Sequence, residues 1–315
     1  MSVVAADARI RRLRPPKPRV DPYTAHGALV EDERRPDGRR ETALTIFLAG
    51  AECPFTCSFC DLWRYTIDGP TPPGALAAQV EKVLIASSAP RPDRLKLYNA
   101  SNFFDRRAVP LADRDRLAAL AEPFGGITVE SHVNTIGAET LAFARSLRGR
   151  LEVAVGLETI HPEASRRLNK RLELPRFDAA ARLLAENGID LRVFVLVGAP
   201  HVPAAESVAW TIRTVEYAVT RGASVVAIIP VRGGNGEMER LQSLGEFTPP
   251  TLAQLEAALD GCLQFRECVV TADSWDAEQF APCDACRRAR IERLERINVT
   301  GRAESRVACV GCGAP

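Results

Sequence analysis

Three thiols fall within eight residues, Cys53-Pro-Phe-Thr-Cys57-Ser-Phe-Cys60, directly after the apolar run Leu44-Thr-Ile-Phe-Leu-Ala49. Thiolates are the usual protein ligands of iron–sulfur clusters, and a cubane of four irons takes four of them. A loop offering three leaves one iron open to a substrate. The same logic separates a closed structural zinc site from a catalytic one that keeps a position free. Cys57 and Cys60 can share one face of a helical turn, whereas the Pro54-containing link to Cys53 must wrap as a loop. The bland alternatives are a zinc site short of one ligand and ordinary core cysteines.

A second thiol group lies near the C-terminus. Cys283-Asp-Ala-Cys286 and Cys309-Val-Gly-Cys312 form two C-x2-C pairs separated by 22 residues. Each pair can grip one edge of a metal, and two pairs complete a tetrahedron, as in zinc ribbons. Zinc and an auxiliary 4Fe–4S cluster both take sulfur, so ligand softness leaves both open. Structural zinc is favoured, since it supplies ~10–16 kcal/mol of apparent folding free energy in small peptides and would clamp a tail with little core. Cys262 and Cys268 read as buried thiols with no metal signature.

The first loop resembles the radical S-adenosylmethionine (SAM) superfamily, marked by C-x3-C-x2-C with an aromatic residue before the last cysteine, here Phe59. The resemblance implies a 4Fe–4S cluster on Cys53, Cys57 and Cys60, with SAM chelating the open iron. Reductive cleavage of SAM would then give a 5′-deoxyadenosyl radical that abstracts hydrogen from a substrate. It also implies an external one-electron reductant of flavodoxin or ferredoxin type.

The elements that must position these groups follow from composition and pattern. The chain has 315 residues, 46% of them hydrophobic, enough for a full core, and its net charge of +1 argues against a uniformly basic nucleic-acid binder. No apolar run approaches the ~20 residues that span a bilayer and no signal-peptide core is present, so a cytoplasmic protein without a membrane partner is expected. Nine cysteines then belong to a reducing compartment. Residues 1–40 read as a basic arm: Arg9, Arg11, Arg12, Arg14, Lys17 and Arg19 face one acid, Asp7, and Pro15, Pro16 and Pro18 disfavour helix. Such an arm could contact phosphate or be a solvated tail.

Between them, residues 41–248 alternate short apolar runs with amphipathic ones. Strands are expected at Leu44–Ala49, Leu95–Tyr98, Ile127–Glu130, Leu151–Leu157, Leu191–Val197 and Val225–Ile229. Helices are expected at Gly74–Ala86, Asp113–Ala121, Ala138–Leu147, Phe177–Asn187 and Ala204–Thr220. This alternation implies an α/β fold with a parallel sheet and functional groups at the carboxyl ends of the strands. Periodicity leaves a doubly wound sheet equally open; the resemblance implies the partial (β/α)6 barrel of radical SAM type. Residues 249–315 read as a small cysteine-rich, metal-binding extension with a helix at Leu252–Phe265.

Polar and glycine residues at the strand ends are candidates to hold SAM. After the second strand, Asn99, Ser101 and Asn102 stand where the superfamily carries a backbone-exposing segment, although its usual glycines are absent. Glu130 and Glu158 each follow an apolar strand, where a buried charge needs a partner: a ribose hydroxyl, the SAM ammonium or a barrel arginine. Gly156 and Gly198 would allow close approach to the backbone. His132 and His161 share this rim as acid or contact candidates, or as ordinary loop histidines. Lys170 or Arg171 is implied as the partner of the SAM carboxylate, one a point charge and the other a fork. The loop Pro230-Val-Arg-Gly-Gly-Asn-Gly236 lacks a P-loop ending and is read as an adenine or substrate-closing loop.

Finer blocks sharpen the resemblance. Cys60-Asp-Leu-Trp63, Gly156-Leu-Glu-Thr159, Leu168-Asn-Lys170 and Pro249-Pro250 look like the branch containing the radical SAM subunit of archaeosine synthase, related to the barrel of the Elongator catalytic subunit. Over residues 20–315 this implies work on a modified nucleoside in tRNA. The contrasting reading is a non-catalytic, metal-bound RNA-binding protein. It would use the C-terminal metal site and Arg287, Arg288, Arg290, Arg293, Arg296, Arg302 and Arg306.

Overall fold

The computed structural model describes residues 3–87 and 92–312. Eight strands make one sheet in chain order: β1 (Gly27–Arg34), β2 (Arg40–Phe47), β3 (Arg94–Tyr98), β4 (Gly126–Glu130), β5 (Arg150–Glu158), β6 (Asp190–Val197), β7 (Ala223–Pro230) and β8 (Val269–Ala272). β1 runs antiparallel to β2, and every other neighbouring pair is parallel. The helices are α1 (Val3–Leu13), α2 (Ala75–Ala86), α3 (Leu111–Ala121), α4 (Ala138–Ser146), α5 (Pro162–Arg167), α6 (Leu174–Glu186), α7 (Ser207–Val219), α8 (Glu237–Ser243), α9 (Leu252–Cys262) and α10 (Asp284–Thr300). The six expected strands are β2 to β7, each carried by a buried Val, Ile or Leu run. Among the described residues no helix is long and apolar enough to cross a membrane.

Two elements lie inside the expected N-terminal arm. α1 forms before the prolines, which stop it at Leu13, and buries Ile10. β1 carries only the short apolar run Ala28-Leu29-Val30, and its second half is charged. Glu31 and Glu33 meet Lys96 of β3 at 2.7 and 2.6 Å, and Glu33 reaches Arg192 of β6 at 2.7 Å. Arg192 also binds Glu152 of β5 at 2.7 Å, and Arg35, just after β1, reaches Glu152 at 2.8 Å. Strands β1 and β6 can touch only if the sheet curls into an open barrel, so these pairs form the barrel floor. Burial pushes the Glu33 carboxyl up, but Arg192 and Lys96 more than offset this and hold it at about 2.

β1 and β8 are the sheet edges, and α10 packs against both. The Asn298 side chain satisfies the exposed edge of β8: its Oδ1 accepts from the Ala272 amide at 2.9 Å and its Nδ2 donates to the Ala272 carbonyl at 2.8 Å. At the far end of α10, Gly301 (φ +64°) ends the helix in a conformation that favours glycine and lies against the Arg34 guanidinium of β1. One helix thus covers the seam of the partial barrel.

Candidate active site at the carboxyl rim

The cysteine loop leaves the end of β2 under tight control. Gln79 of α2 donates to the Ala49 carbonyl and accepts from the Ala49 amide, both at 2.8 Å, and Thr71 accepts from the Ala51 amide at 2.8 Å. Two further loops grip the turn itself. The Ser58 amide donates to Leu168 O at 2.9 Å, and Asn169 donates to Thr56 O at 2.9 Å. Asn235 of the glycine loop donates to Ser58 O at 2.8 Å and Cys60 O at 3.3 Å. This use of Asn235 as a buckle between two loops was not readable from the sequence, where the glycines drew attention instead.

Cys53, Cys57 and Cys60 are free thiols that feel one another electrostatically. Burial raises all three and takes Cys57 up to about 12, with Lys170 pulling the other way on Cys53 and Cys57. Half-buried thiols of this kind ionise when a metal displaces their protons. Asn102 links the loop to its neighbours: its Nδ2 donates to Cys53 Sγ at 3.4 Å and its Oδ1 accepts from the His132 amide at 2.8 Å. Phe55, inside the cysteine loop, stacks on the His132 ring with centroids 4.1 Å apart. His132 Nε2 meets Lys170 O at 3.1 Å, and burial beside the Lys170 charge lowers its pKa to about 4.

Glu130 ends β4 facing the loop after β3. Burial pushes its carboxyl up to about 7 against the pull of the Ala100, Asn99 and Ser101 amides, which Ala100 (φ +53°) turns toward it. Around it, Glu130 Oε1, both amide atoms of Asn99 and Ser101 Oγ are buried without a partner in the protein. Buried polar atoms are paired in nearly all folded proteins, so this group fits a polar ligand. The six non-glycine residues with positive φ among those described are Ala100, His201 and Asp276, which follow β3, β6 and β8, Glu158, which ends β5, and Asn169 and Arg171, which follow α5.

The other candidates have protein partners. Lys170 Nζ binds Glu158 at 2.7 Å, and burial of Lys170 is outweighed by Glu158, which raises its pKa. The space over Gly156, expected to admit cofactor atoms, is filled by this ion pair; a Cβ there would strike both groups. Arg171 turns away to Asp7 of α1. Gly198 (φ +75°) has Pro250 2.8 Å from where a Cβ would stand, so its backbone freedom serves the packing of the Pro249-Pro250 segment. Phe59 packs on a small apolar cluster that includes Leu196, Val231 and Met238. His161 accepts from the Ala164 amide at 3.1 Å and caps α5.

α1 lies over the cysteine loop. Asp7 accepts from Thr56 at 2.5 Å and Asn169 at 2.9 Å, Arg9 binds Glu237 at 2.9 Å, and Arg14 binds Glu52 at 2.6 Å. A cavity of about 250 Å3 opens beside Cys53, lined by Arg11, Glu52, Pro54, Asp68, Gly69 and Arg107 among others. Its two acids are already paired, Glu52 with Arg14 and Asp68 with Lys17 at 2.8 Å. Arg11 and Arg107 have no acidic partner among the described residues.

The C-terminal thiols also converge, with all four sulfur atoms within 4.8 Å of one another. The arginines near them do not form a free basic face. Arg287, Arg288, Arg290, Arg293, Arg296 and Arg306 are all in ion pairs, with Asp284, Glu292, Glu256, Asp260, Glu304 and Asp260 respectively. Six of the seven charges are thus paired within the chain, and Arg302 has no ion pair among the described residues, so the group does not favour the RNA-binding alternative.

No protein-family model and no curated protein matches the sequence. Solved structures do match. Methylornithine synthase (PylB) superposes with a TM-score of 0.50 at 16% identity, over 70% of this chain and 62% of that one. Elp3 of Methanocaldococcus infernus, with an N-terminal deletion, gives 0.52 at 13%, over 75% and 60%. A radical SAM methyltransferase from Sphaerobacter thermophilus gives 0.48 at 18%, over 80% and 77%. The chain thus covers about 60% of the length of the first two. Strand order and the superpositions on methylornithine synthase and Elp3 agree that this chain shares their fold, an α/β partial barrel.

Proposed function

We propose that the protein is a radical SAM enzyme holding a 4Fe–4S cluster on Cys53, Cys57 and Cys60. The observation that carries this reading is the conjunction of a three-thiol loop with an orphaned polar group, Glu130, Asn99 and Ser101, joined to it through Asn102. With cluster, SAM and an external one-electron reductant of flavodoxin or ferredoxin type present, the chemistry supplied is reductive cleavage of SAM to a 5′-deoxyadenosyl radical for hydrogen abstraction. The chain's own part is binding, orientation and exclusion of water. Glu130 offers a carboxylate to the SAM ammonium or a ribose hydroxyl, with Asn99 and Ser101 beside it. Lys170, paired with Glu158, and Arg171, paired with Asp7, are the two cations offered for the SAM carboxylate. Phe59, Gly156 and Gly198 shape the wall behind these groups.

For the substrate, the proposal is a modified nucleoside in tRNA. Its support is the likeness to the archaeosine-synthase and Elongator blocks, together with the cavity beside Cys53, where Arg11 and Arg107 leave positive charge uncompensated. A cytoplasmic location fits such a substrate. The test is anaerobic reconstitution followed by assay for 5′-deoxyadenosine with dithionite and SAM. Wild type is expected to produce it and Cys57→Ala to lose it by more than 100-fold; equal production by both would overturn the ligand assignment.

A further inference from the structure

The four C-terminal thiols carry geometry that the sequence could not. Cys283 and Cys309 sulfurs are 3.8 Å apart, as are those of Cys286 and Cys312. This is far beyond the ~2.05 Å of a disulfide. A single zinc bound at about 2.3 Å by four thiolates in a tetrahedron sets the sulfurs about 3.8 Å apart. A cubane hangs each thiolate on a different iron and must spread them farther, around a body of four irons and four sulfides. Four sulfurs that all lie within 4.8 Å of one another surround one ion and have no room for that body.

The surroundings match a closed, charged site. Cys283 stands at the N-terminal boundary of α10 and Cys286 lies in its first turn. Arg290, one turn further along the helix, is buried; its guanidinium faces the Cys286 sulfur and binds Glu256 at 3.0 Å. A positive group held beside the ligands offsets the net negative charge of zinc with four thiolates. The other two ligands come from the returning tail. Arg293 holds that tail along α10 by donating to Glu304 O at 2.7 Å and Ser305 O at 3.0 Å.

We infer that this site binds one zinc ion and no iron–sulfur cluster, and that the zinc fastens the tail to α10, the helix that covers the seam between β1 and β8. The inference stands apart from the radical SAM reading, because none of its residues touches the first cysteine loop.

Metal analysis of the Cys53→Ala/Cys57→Ala/Cys60→Ala protein after iron–sulfur reconstitution tests it without the first cluster. One zinc per chain and no bound iron is expected; retained iron with cluster absorbance overturns the inference. Wild-type protein provides the same test should that variant not fold. Zinc-edge X-ray absorption is expected to show four sulfur neighbours at about 2.3 Å. A total near eight irons per chain in place of about four would overturn it. For the fastening role, Cys309→Ser/Cys312→Ser is expected to lose the zinc and speed amide exchange in the α10 first turn at least tenfold. Unchanged exchange with zinc gone would remove that role.

Discussion

Glu130 and His132 stand two residues apart, and burial moves their proton equilibria in opposite directions. The Glu130 carboxyl rises from 4.5 to about 7, so between those values the folded protein holds a proton that the unfolded chain has released, and stability falls as pH rises. His132 drops from 6.5 to about 4, so the unfolded chain binds a proton that the folded protein refuses, and stability rises with pH across that span. The two slopes oppose each other from about pH 4.5 to 6.5. In the metal-free protein Glu130→Gln is expected to gain stability relative to wild type steadily from pH 4.5 to 7, read as the urea midpoint. A wild-type difference independent of pH would show that Glu130 titrates normally. Lys170 makes a second prediction at this scale. Lys170→Met strands the buried Glu158 carboxylate and is expected to lower stability by about 3–5 kcal/mol, while Lys170→Met with Glu158→Leu recovers most of the loss. Additive losses in denaturation would contradict the pairing.

At the level of elements, what could be read from the chain depended on whether a segment announces itself by apolar periodicity. β2 to β7 do so because their Val, Ile and Leu side chains make the barrel core. β1 does not, because Glu31 and Glu33 point at Lys96 and Arg192, and such pairing across more than sixty residues leaves no local pattern. The same blindness affected the N-terminal arm, where Arg9 and Arg14 are paired with Glu237 and Glu52 while Arg11 has no acidic partner among the described residues. In the site, cysteine spacing and the polar residues after β3 and β4 were legible. The occupation of Gly156 by the Lys170–Glu158 pair was not, since it depends on a bulge between Gly156 and Glu158. α10 carries a prediction of its own. Asn298→Ala removes both side-chain bonds to the β8 edge and is expected to cost about 1–3 kcal/mol. Faster hydrogen exchange at Ala272 should accompany it; unchanged protection there would mean that the seam is held by other contacts.

For the molecule as a whole, charge is the organising theme. With 41 basic and 40 acidic side chains, the chain satisfies many of them internally: the barrel floor, the strap of α1 and the C-terminal tail all rest on ion pairs. At the carboxyl rim Glu130, Asn99 and Ser101 keep buried polar atoms without protein partners, where a ligand would complete them. The proposed function places at this rim an iron corner free of protein ligands. Electron paramagnetic resonance of the reduced, reconstituted protein tests it most directly. Addition of SAM is expected to change the spectrum of the cluster in wild type, in one-to-one proportion to the cluster held by Cys53, Cys57 and Cys60. A spectrum that SAM leaves unchanged at saturating concentration would mean that no iron is open to it.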